Sequence, residues 1–282
     1  MWTNENRARY DRSNLRYPSD LTDAEWVLIA PLIPPAKRGG GKRSVDLRAV
    51  VNGLMYVLST GCQWRAIPKD LPARSTVHDY LDLWDYDGTL DRIHHTLYVA
   101  CREQAGRDAS PTAGVIDSQS VKGAEKRGPR FDPQGYDAGK KIKGKKRHVL
   151  VDTQGLLMHA LVHPADIQDR DRDGGVLVMA MLFGLYPFLL KLYADGGYQG
   201  PVFQTGLRRV CRQISVEIVK RSDQAKGFAV LPKRWIVERT IGWLNRCRRL
   251  ANDWECRTRK ARAFLLLASI RLMTRKLCQK TI

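Results

Sequence analysis

The sequence predicts an α/β protein in which a mixed sheet flanked by helices follows a small all-α segment. Three observations carry that reading. Between residues 18 and 105 apolar residues recur at helical spacing only. A polar Gly/Ser/Pro stretch at 104–114, "QAGRDASPTAG", then interrupts the chain. Beyond it, short β-type runs alternate with helical ones, the pattern of a sheet covered by helices. The stretch divides the chain into residues 1–110 and 111–282, and a composition that is 43% hydrophobic suffices for a real core.

The first helix has a marked start. Thr22 and Glu25 form the T-x-x-E capping pattern, and Trp26, Ile29 and Ile33 follow at helical spacing. Pro34-Pro35 and "AKRGGGKR" end it and make a basic connection. A second helix places Leu47, Val50, Val51, Leu54 and Leu58 on one face, with Gly61 as its stop. A third begins near Ser75-Thr76 and turns Val77, Leu81 and Trp84 inward; a fourth uses Leu90, Ile93 and Leu97. Helix, linker, helix, turn, helix is a helix-turn-helix-like order that suits DNA binding, with Arg65, Lys69 and Arg74 as its basic residues. His78, Asp79 and Asp82 on the third helix are poor neighbours for phosphate, so a helical bundle for packing or dimerisation is the competing reading.

In the second segment "GVIDSQSV" is a β-type run, and "KKRHVLVDTQG" and "LLMHALVHPAD" flank a turn at Thr153-Gln154-Gly155 as a hairpin. "GGVLVMAMLFGLYP" reads as a long apolar helix, "LLKLYAD" as a strand, "PVFQTGLRRVC" as a short helix and "ISVEIVKR" as a strand. After "SDQAKGFAVLPK" a long helix is expected from about Pro232 to Asp253 and a last one from about Arg259 to Leu277. Trp235 and Trp243 read as core residues of the first of these. His148, His159 and His163 face one way on the hairpin and read as packing; His94 and His95 read as ordinary helix residues.

Charge narrows the function. The chain carries a net +19, and it is lopsided: residues 1–110 hold 15 Lys+Arg against 14 Asp+Glu, residues 111–282 hold 33 against 15. Such a field favours a polyanion, and the sequence shows no amphipathic surface helix that would point to a membrane, so nucleic acid is the expected partner. No run of apolar residues is long enough for a transmembrane helix, and the first residues lack the apolar stretch of a signal peptide. Six scattered cysteines without a CxxC fit neither a zinc site nor a disulfide scaffold, and a reduced, cytoplasmic protein is expected. The ten Lys+Arg between Lys122 and Arg147, including Lys140, Lys141, Lys143, Lys145, Lys146 and Arg147, read as a DNA-facing loop and strand start. Arg246, Arg248 and Arg249 continue that track, and a solvated charged hairpin is the plainer alternative.

Most of the 15 acids after residue 110 have ordinary explanations. Asp132 and Asp137 lie in a loop, Asp152 fits a hairpin turn, and Asp166, Asp169, Asp171 and Asp173 suit the start of a helix. Three fit such explanations less well. Asp117 stands inside a β-type run, where a charge is costly unless paired or metal-bound. Asp195 ends the apolar "LYAD" strand before two glycines, where a plain Asp-Gly turn is the ordinary reading of the residue taken alone. Glu238 lies beside the apolar ridge Val237, Ile241 and Leu244, with Arg234 four residues earlier as an ion-pair partner. One acid on a first strand, one at the end of a later strand and one on a following helix can converge at one edge of a mixed sheet. Three close carboxylates repel and call for cations, and oxygen-only ligands select Mg²⁺ or Mn²⁺. Two such ions hold the attacking and leaving oxygens of a phosphodiester in line.

These residues and their order resemble the DDE transposases of bacterial insertion sequences, specifically the insertion sequence 5 group. The likeness rests on "YPSDLTDAEWVLIAPLIPP" and "NGLMYVLSTGCQWRAIPKDLP" in the first segment. In the second it rests on "VIDSQSVK", "GYDAGKKIKGKKRHVLVDTQGL", "ADGGYQG" and "RWIVERTIGWLNRCRRLANDWE". The resemblance implies a ribonuclease-H-like catalytic domain at 111–282, whose three acids map onto Asp117, Asp195 and Glu238, after a DNA-binding helical domain at 1–110. Of the family's tyrosine, arginine, glutamate and lysine signature, Arg234 and Glu238 are kept, and Leu231 and Asn245 stand at the other two positions. Arg246 is the candidate to replace the lysine's phosphate contact. "QDRDRDGG" carries one Asp-Arg unit more than the family pattern, taken as Asp171-Arg172, which is expected to disturb the start of the next helix.

What the resemblance implies is a cytoplasmic, nucleoid-associated bacterial enzyme that cuts and joins double-stranded DNA at element ends with two Mg²⁺ or Mn²⁺ ions. Its DNA partners are the terminal inverted repeats and the target, and joining two ends implies a homodimer. Arg234 joins the listed lysines and arginines as a candidate DNA contact. A catalytically inactive, repressor-like DNA-binding copy and a ribonuclease-H-like nuclease that only hydrolyses are the alternatives.

Overall fold

The computed structural model describes residues 10–36, 39, 43–124, 128, 130–182, 184–219 and 232–279. Leu231, Lys126, Arg127 and most of "SDQAKGFAVLPK" lie outside the described residues. Among the described residues a group of helices precedes the sheet: α1 Asp23–Ile29, α2 Leu47–Thr60, α3 Arg74–Tyr86 and α4 Thr89–Gln104. The capping box at α1 is complete, with Thr22 and Glu25 each bonding the other's backbone N–H. Gly61 ends α2 in the left-handed region at φ 67°, a conformation a Cβ disfavours. Val50, Leu54, Val77, Leu81, Trp84, Leu90, Ile93 and Leu97 are all buried, as their spacing predicts.

The polar face of α3 is not free. His78, Asp82 and Asp85 meet Lys260 and Arg259, with Lys260 Nζ 2.9 Å from His78 Nε2 and Arg259 Nη1 2.7 Å from Asp85 Oδ2. These contacts hold the acidic side of α3 against the start of the last helix, Thr258–Cys278. Arg65, Lys69 and Arg74 are exposed.

The sheet follows: β1 Ala113–Lys122, β2 Gly135–Asp137, β3 Ile142–Asp152, β4 Leu157–Pro164, β5 Lys191–Ala194 and β6 Ser215–Ile218. β3 lies antiparallel to β1 and also pairs with β2 at one end and β4 along the rest. β5 pairs parallel with β1, and β6 parallel with β5. Helices α5 Leu177–Ala180, α6 Pro201–Val210, α7 Pro232–Leu244 and α8 Thr258–Cys278 complete the chain. This mixed sheet, three antiparallel strands extended by two parallel ones and covered by helices, is ribonuclease-H-like. One hydrophobic core runs from α1 to α8, with the N-terminal helices packed on the last one.

Two helices are shorter than expected. The run at 174–187 makes only a π-type turn, Arg172–Val176, and the four residues of α5. Gly174 is kinked out of helical geometry (φ −95°, ψ −118°) and Gly184 is left-handed at φ 78°, so a continuous helix is interrupted at both points. Beyond the kink Val176 packs against Gly206 of α6. α7 stops at Leu244 instead of reaching Asp253, because the following backbone turns to pair with the sheet. The Asp253 N–H donates to Lys122 O (2.9 Å), and the Ala124 N–H donates to Asp253 O (2.9 Å). Among the described residues no helix is long and apolar enough to cross a membrane.

Candidate active site

The parallel register places two of the three acids. Val115 pairs with Tyr193, so two residues further along each strand Asp117 and Asp195 stand at the same level on neighbouring strands, whose axes lie about 4.8 Å apart. β5 stops at Ala194 because Asp195 caps a 3₁₀ turn, Gly196–Tyr198, its Oδ1 accepting the Gly197 N–H at 2.8 Å. Asp117 Oδ1 accepts the Ser118 N–H at 2.7 Å.

Glu238 arrives on α7. Val237, Thr240 and Leu244 are buried at spacings of three and four and press that helix onto the sheet. The Thr240 hydroxyl donates to Gly155 O at 2.8 Å, locking α7 to the β3–β4 hairpin. Glu238 is left at the rim, exposed on one side. Arg234 Nη2 lies 3.3 Å from Glu238 Oε1 and 3.9 Å from Asp195 Oδ2, so this guanidinium joins the second acid to the third.

The electrostatics mark Asp117 as under-compensated. Burial pushes its carboxyl up to about 6 from the ordinary 3.8, and Asp195 adds to the rise. The Ser118 N–H, Arg234 and Lys140 pull it back. A carboxyl raised in the folded state favours folding while protonated. Its contribution is present below the ordinary value and is lost as pH climbs through about 6. In metal-free protein, Asp117→Asn is therefore expected to raise the urea midpoint over wild type more at about pH 8 than at about pH 4. An equal effect at both would show that the charge is not the strained element.

The donor set suits a hard divalent cation: oxygen only, from β1, the end of β5 and α7. The side chains are not drawn in around one point; among the described residues no three His, Cys, Asp or Glu groups form a closed metal cluster. Arg234 supplies the positive charge between Asp195 and Glu238.

The basic residues divide sharply. Lys122, Lys140, Lys141, Lys143, Arg246 and Arg248 are exposed, and Arg234 is half-buried against the acids. Lys145, Lys146, Arg147 and Arg249 are buried, which corrects the expectation that they face DNA. Lys145 Nζ pairs with Asp253 Oδ2 at 2.9 Å, and Arg249 Nη2 with Glu255 Oε1 at 2.6 Å. Arg147 Nη1 donates to Leu250 O at 2.7 Å. Lys146 lies between Asp137 and Asp169. β3 has strands on both sides and helices over it, so alternate side chains of its basic run point into protein on either face. The two tryptophans of α7 err in the opposite sense: Trp235 and Trp243 are exposed, Trp243 stacked under Arg239 at 4.7 Å.

This division sets an expected result. Neutralising Lys141 and Lys143 together flattens the salt dependence of DNA binding by about two units of slope and leaves the melting temperature nearly unchanged. Lys145→Ala leaves Asp253 buried without its ion-pair partner and costs about 3–5 kcal/mol of stability. An unchanged salt slope for the first variant would remove that loop from the DNA-facing surface.

The acids at Asp166–Asp173 are not mainly helix caps. Asp171 Oδ2 accepts the Gln168 N–H at 3.0 Å, and Asp169 turns inward toward Lys146 and His148. His148 and His163 pack ring on ring, centroids 4.6 Å apart, as packing histidines do.

The chain is similar to known proteins over much of its length. Residues 108–273 match the family model described as "Transposase DDE domain", and residues 21–94 match "Putative transposase of IS4/5 family". Over 108 residues the chain is 34% identical to "Insertion element IS402 uncharacterized 16.2 kDa protein" of Burkholderia cepacia, covering 36% of this chain and 72% of that protein. Over 144 residues it is 31% identical to "Putative transposase for insertion sequence element IS402" of the same organism, covering 49% of this chain and 66% of that protein. No solved structure matches. With the first family model spanning more than half of its length, and with a mixed sheet that lines up two aspartates on neighbouring strands, the chain belongs to the DDE transposases of insertion sequences.

Proposed function

We propose that this transposase cuts the ends of its element and joins the exposed 3′-hydroxyls to target DNA, with Asp117, Asp195 and Glu238 holding two Mg²⁺ or Mn²⁺ ions. The observation that carries the reading is the level placement of Asp117 and Asp195, with Glu238 tied to the second by Arg234. When bound, the ions offset charge on the scissile phosphate and hold the attacking and leaving oxygens in line. The chain's own work is placement. β1 and β5 set two carboxylates side by side, and α7 brings the third across the sheet edge. Arg234 keeps Asp195 and Glu238 from repelling one another before DNA arrives. Water opens the phosphodiester at an element end and leaves a 3′-hydroxyl. That hydroxyl then attacks a target phosphodiester, one bond forming as another breaks, with no protein–DNA covalent link.

In this reading residues 111–282 are catalytic, and residues 1–110 with the exposed Lys122, Lys140, Lys141, Lys143, Arg246 and Arg248 engage DNA. Two ends must be held together, so the working form is a homodimer on double-stranded DNA in the bacterial cytoplasm, at the nucleoid. The test uses the full chain, Mg²⁺ and donor DNA containing the sequence that flanks the gene, with sequencing of all products. Joined 3′-ends support transposition. Cleavage without joining assigns a nuclease that only hydrolyses. Binding without cleavage assigns an inactive DNA-binding copy, the reading that Asn245 and the extra Asp-Arg unit favour.

A further inference from the structure

Beneath the Asp195 turn lies a buried polar group that the reaction scheme leaves unused. Tyr198 closes the turn, its N–H donating to Asp195 O at 3.2 Å. Its ring is wholly buried and meets Phe203 edge-on with centroids 5.3 Å apart. A Cβ at Gly175 would come within 2.5 Å of Tyr198 Cε1, so bare backbone of the π-type turn clamps the same ring. Tyr198 Oη shares a hydrogen bond of 2.9 Å with His148 Nδ1. Burial keeps the phenol protonated and the imidazole neutral. The bond joins two uncharged groups, the phenol and the imidazole, with its direction set by the His148 tautomer.

Nε2 faces Asp169 Oδ1 at 3.8 Å, beyond hydrogen-bond reach, and neither atom has another hydrogen-bond partner. Asp169 also crowds the turn from below: a Cβ at Gly197 would be 3.0 Å from its Oδ2. From Asp169 the group runs to Lys146 (3.5 Å) and on to Asp137 (3.6 Å). Asp137 accepts from Ser120 and from the Lys140 N–H (3.0 Å), and Lys140 Nζ donates to Ser118 O (3.0 Å), next to Asp117. A single arc of polar side chains thus passes under the sheet edge from the Asp195 turn to the Asp117 strand.

We propose that Tyr198 and His148 are positioning residues for the Asp195 carboxylate, and that Asp169 and Lys146 extend them as a partly buried polar arc toward the Asp117 strand. The physical reason is the turn itself. Two glycines follow Asp195, and glycine backbone carries the largest conformational entropy. Without an anchor the carboxylate would sample many positions. Tyr198 is the first side chain after them and the first that can pin the turn. Outer-shell partners of this kind orient ligands they do not replace.

The proposal rests on the reading of Asp195 as a metal ligand, and the experiment separates the two. Fe²⁺ is bound in place of Mg²⁺ to the full-length protein, and ascorbate and peroxide then cut the backbone beside the iron. Loss of the cut near residue 195 in Asp195→Asn upholds the ligand reading; an unchanged cut overturns that reading by itself. Tyr198→Phe keeps the ring and removes only the anchor. It is expected to weaken the cut near residue 195 and to raise the half-saturating Mg²⁺ for strand cleavage roughly tenfold. The rate at saturating Mg²⁺ returns close to wild type, a recovery that Asp195→Asn does not show. His148→Gln, which retains a polar partner for the phenol, is expected to shift less than His148→Leu, and it carries the test if Tyr198→Phe does not fold. Wild-type Mg²⁺ half-saturation in folded Tyr198→Phe, or a loss of rate that no Mg²⁺ concentration restores, overturns the positioning role.

Discussion

Asp195→Asn is expected to lower DNA strand cleavage by at least about a thousandfold, well beyond the roughly 10- to 100-fold cost of losing an outer-shell partner. The substitution is nearly isosteric. It keeps an oxygen for the Gly197 N–H, so the turn at the end of β5 survives. What is lost is one negative charge, at the point where Asp117 and Asp195 stand level. Binding of element-end DNA should be retained or slightly strengthened, because a carboxylate no longer repels phosphate. The measurement is cleavage of end-labelled donor DNA beside a gel-shift titration of the same substrate. Cleavage within tenfold of wild type would remove Asp195 from the metal-binding set. A matched loss of binding and cleavage would assign the effect to DNA contact instead.

A large effect on stability is expected at Asp152, outside the proposed trio. This carboxylate is wholly buried at the end of β3 and serves two ends of the molecule at once. Its Oδ1 accepts the N–H groups of Gln154 and Leu156, both at 2.9 Å, shaping the β3–β4 hairpin. Its Oδ2 pairs with Arg102 of α4 and accepts the Tyr98 hydroxyl at 3.3 Å. Asp152→Ala leaves the Arg102 guanidinium buried without its partner, a loss of about 3–5 kcal/mol. Asp152→Asn keeps the hairpin acceptor and should cost less. Chemical denaturation of both variants checks this. A loss of under about 1 kcal/mol for the alanine variant, the size of a surface pair, would show that the helices and the sheet do not depend on this contact.

The proposed trio Asp117, Asp195 and Glu238 could be picked out in the sequence only as a set: a charge inside an apolar strand, one at the end of another, and one beside a helix ridge. The basic residues could not, because a run such as "KKIKGKKRH" reads the same whether it faces water or protein. Lys145 and Arg147 point inward because Asp253 and the carbonyls of Leu250, Asn252 and Glu255, about a hundred positions later, fold back over β3. The tryptophans of α7 were misjudged for a related reason. Two ridges on that helix are apolar enough to be buried. The sheet took Val237, Thr240 and Leu244, a choice fixed by the Thr240 bond to the hairpin and not by hydrophobicity alone.

Helix starts, the hairpin and the strand ends follow from interactions among residues a few positions apart, and such interactions leave a periodic or punctuated trace in the chain. Which cations remain outside to meet phosphate, how far the helix at 174–187 runs and what lies under the Asp195 turn depend on partners distant in sequence. Burial of a charge is settled by whether a carboxylate or a carbonyl waits at the other end, and only the packed sheet and its helices bring those ends together.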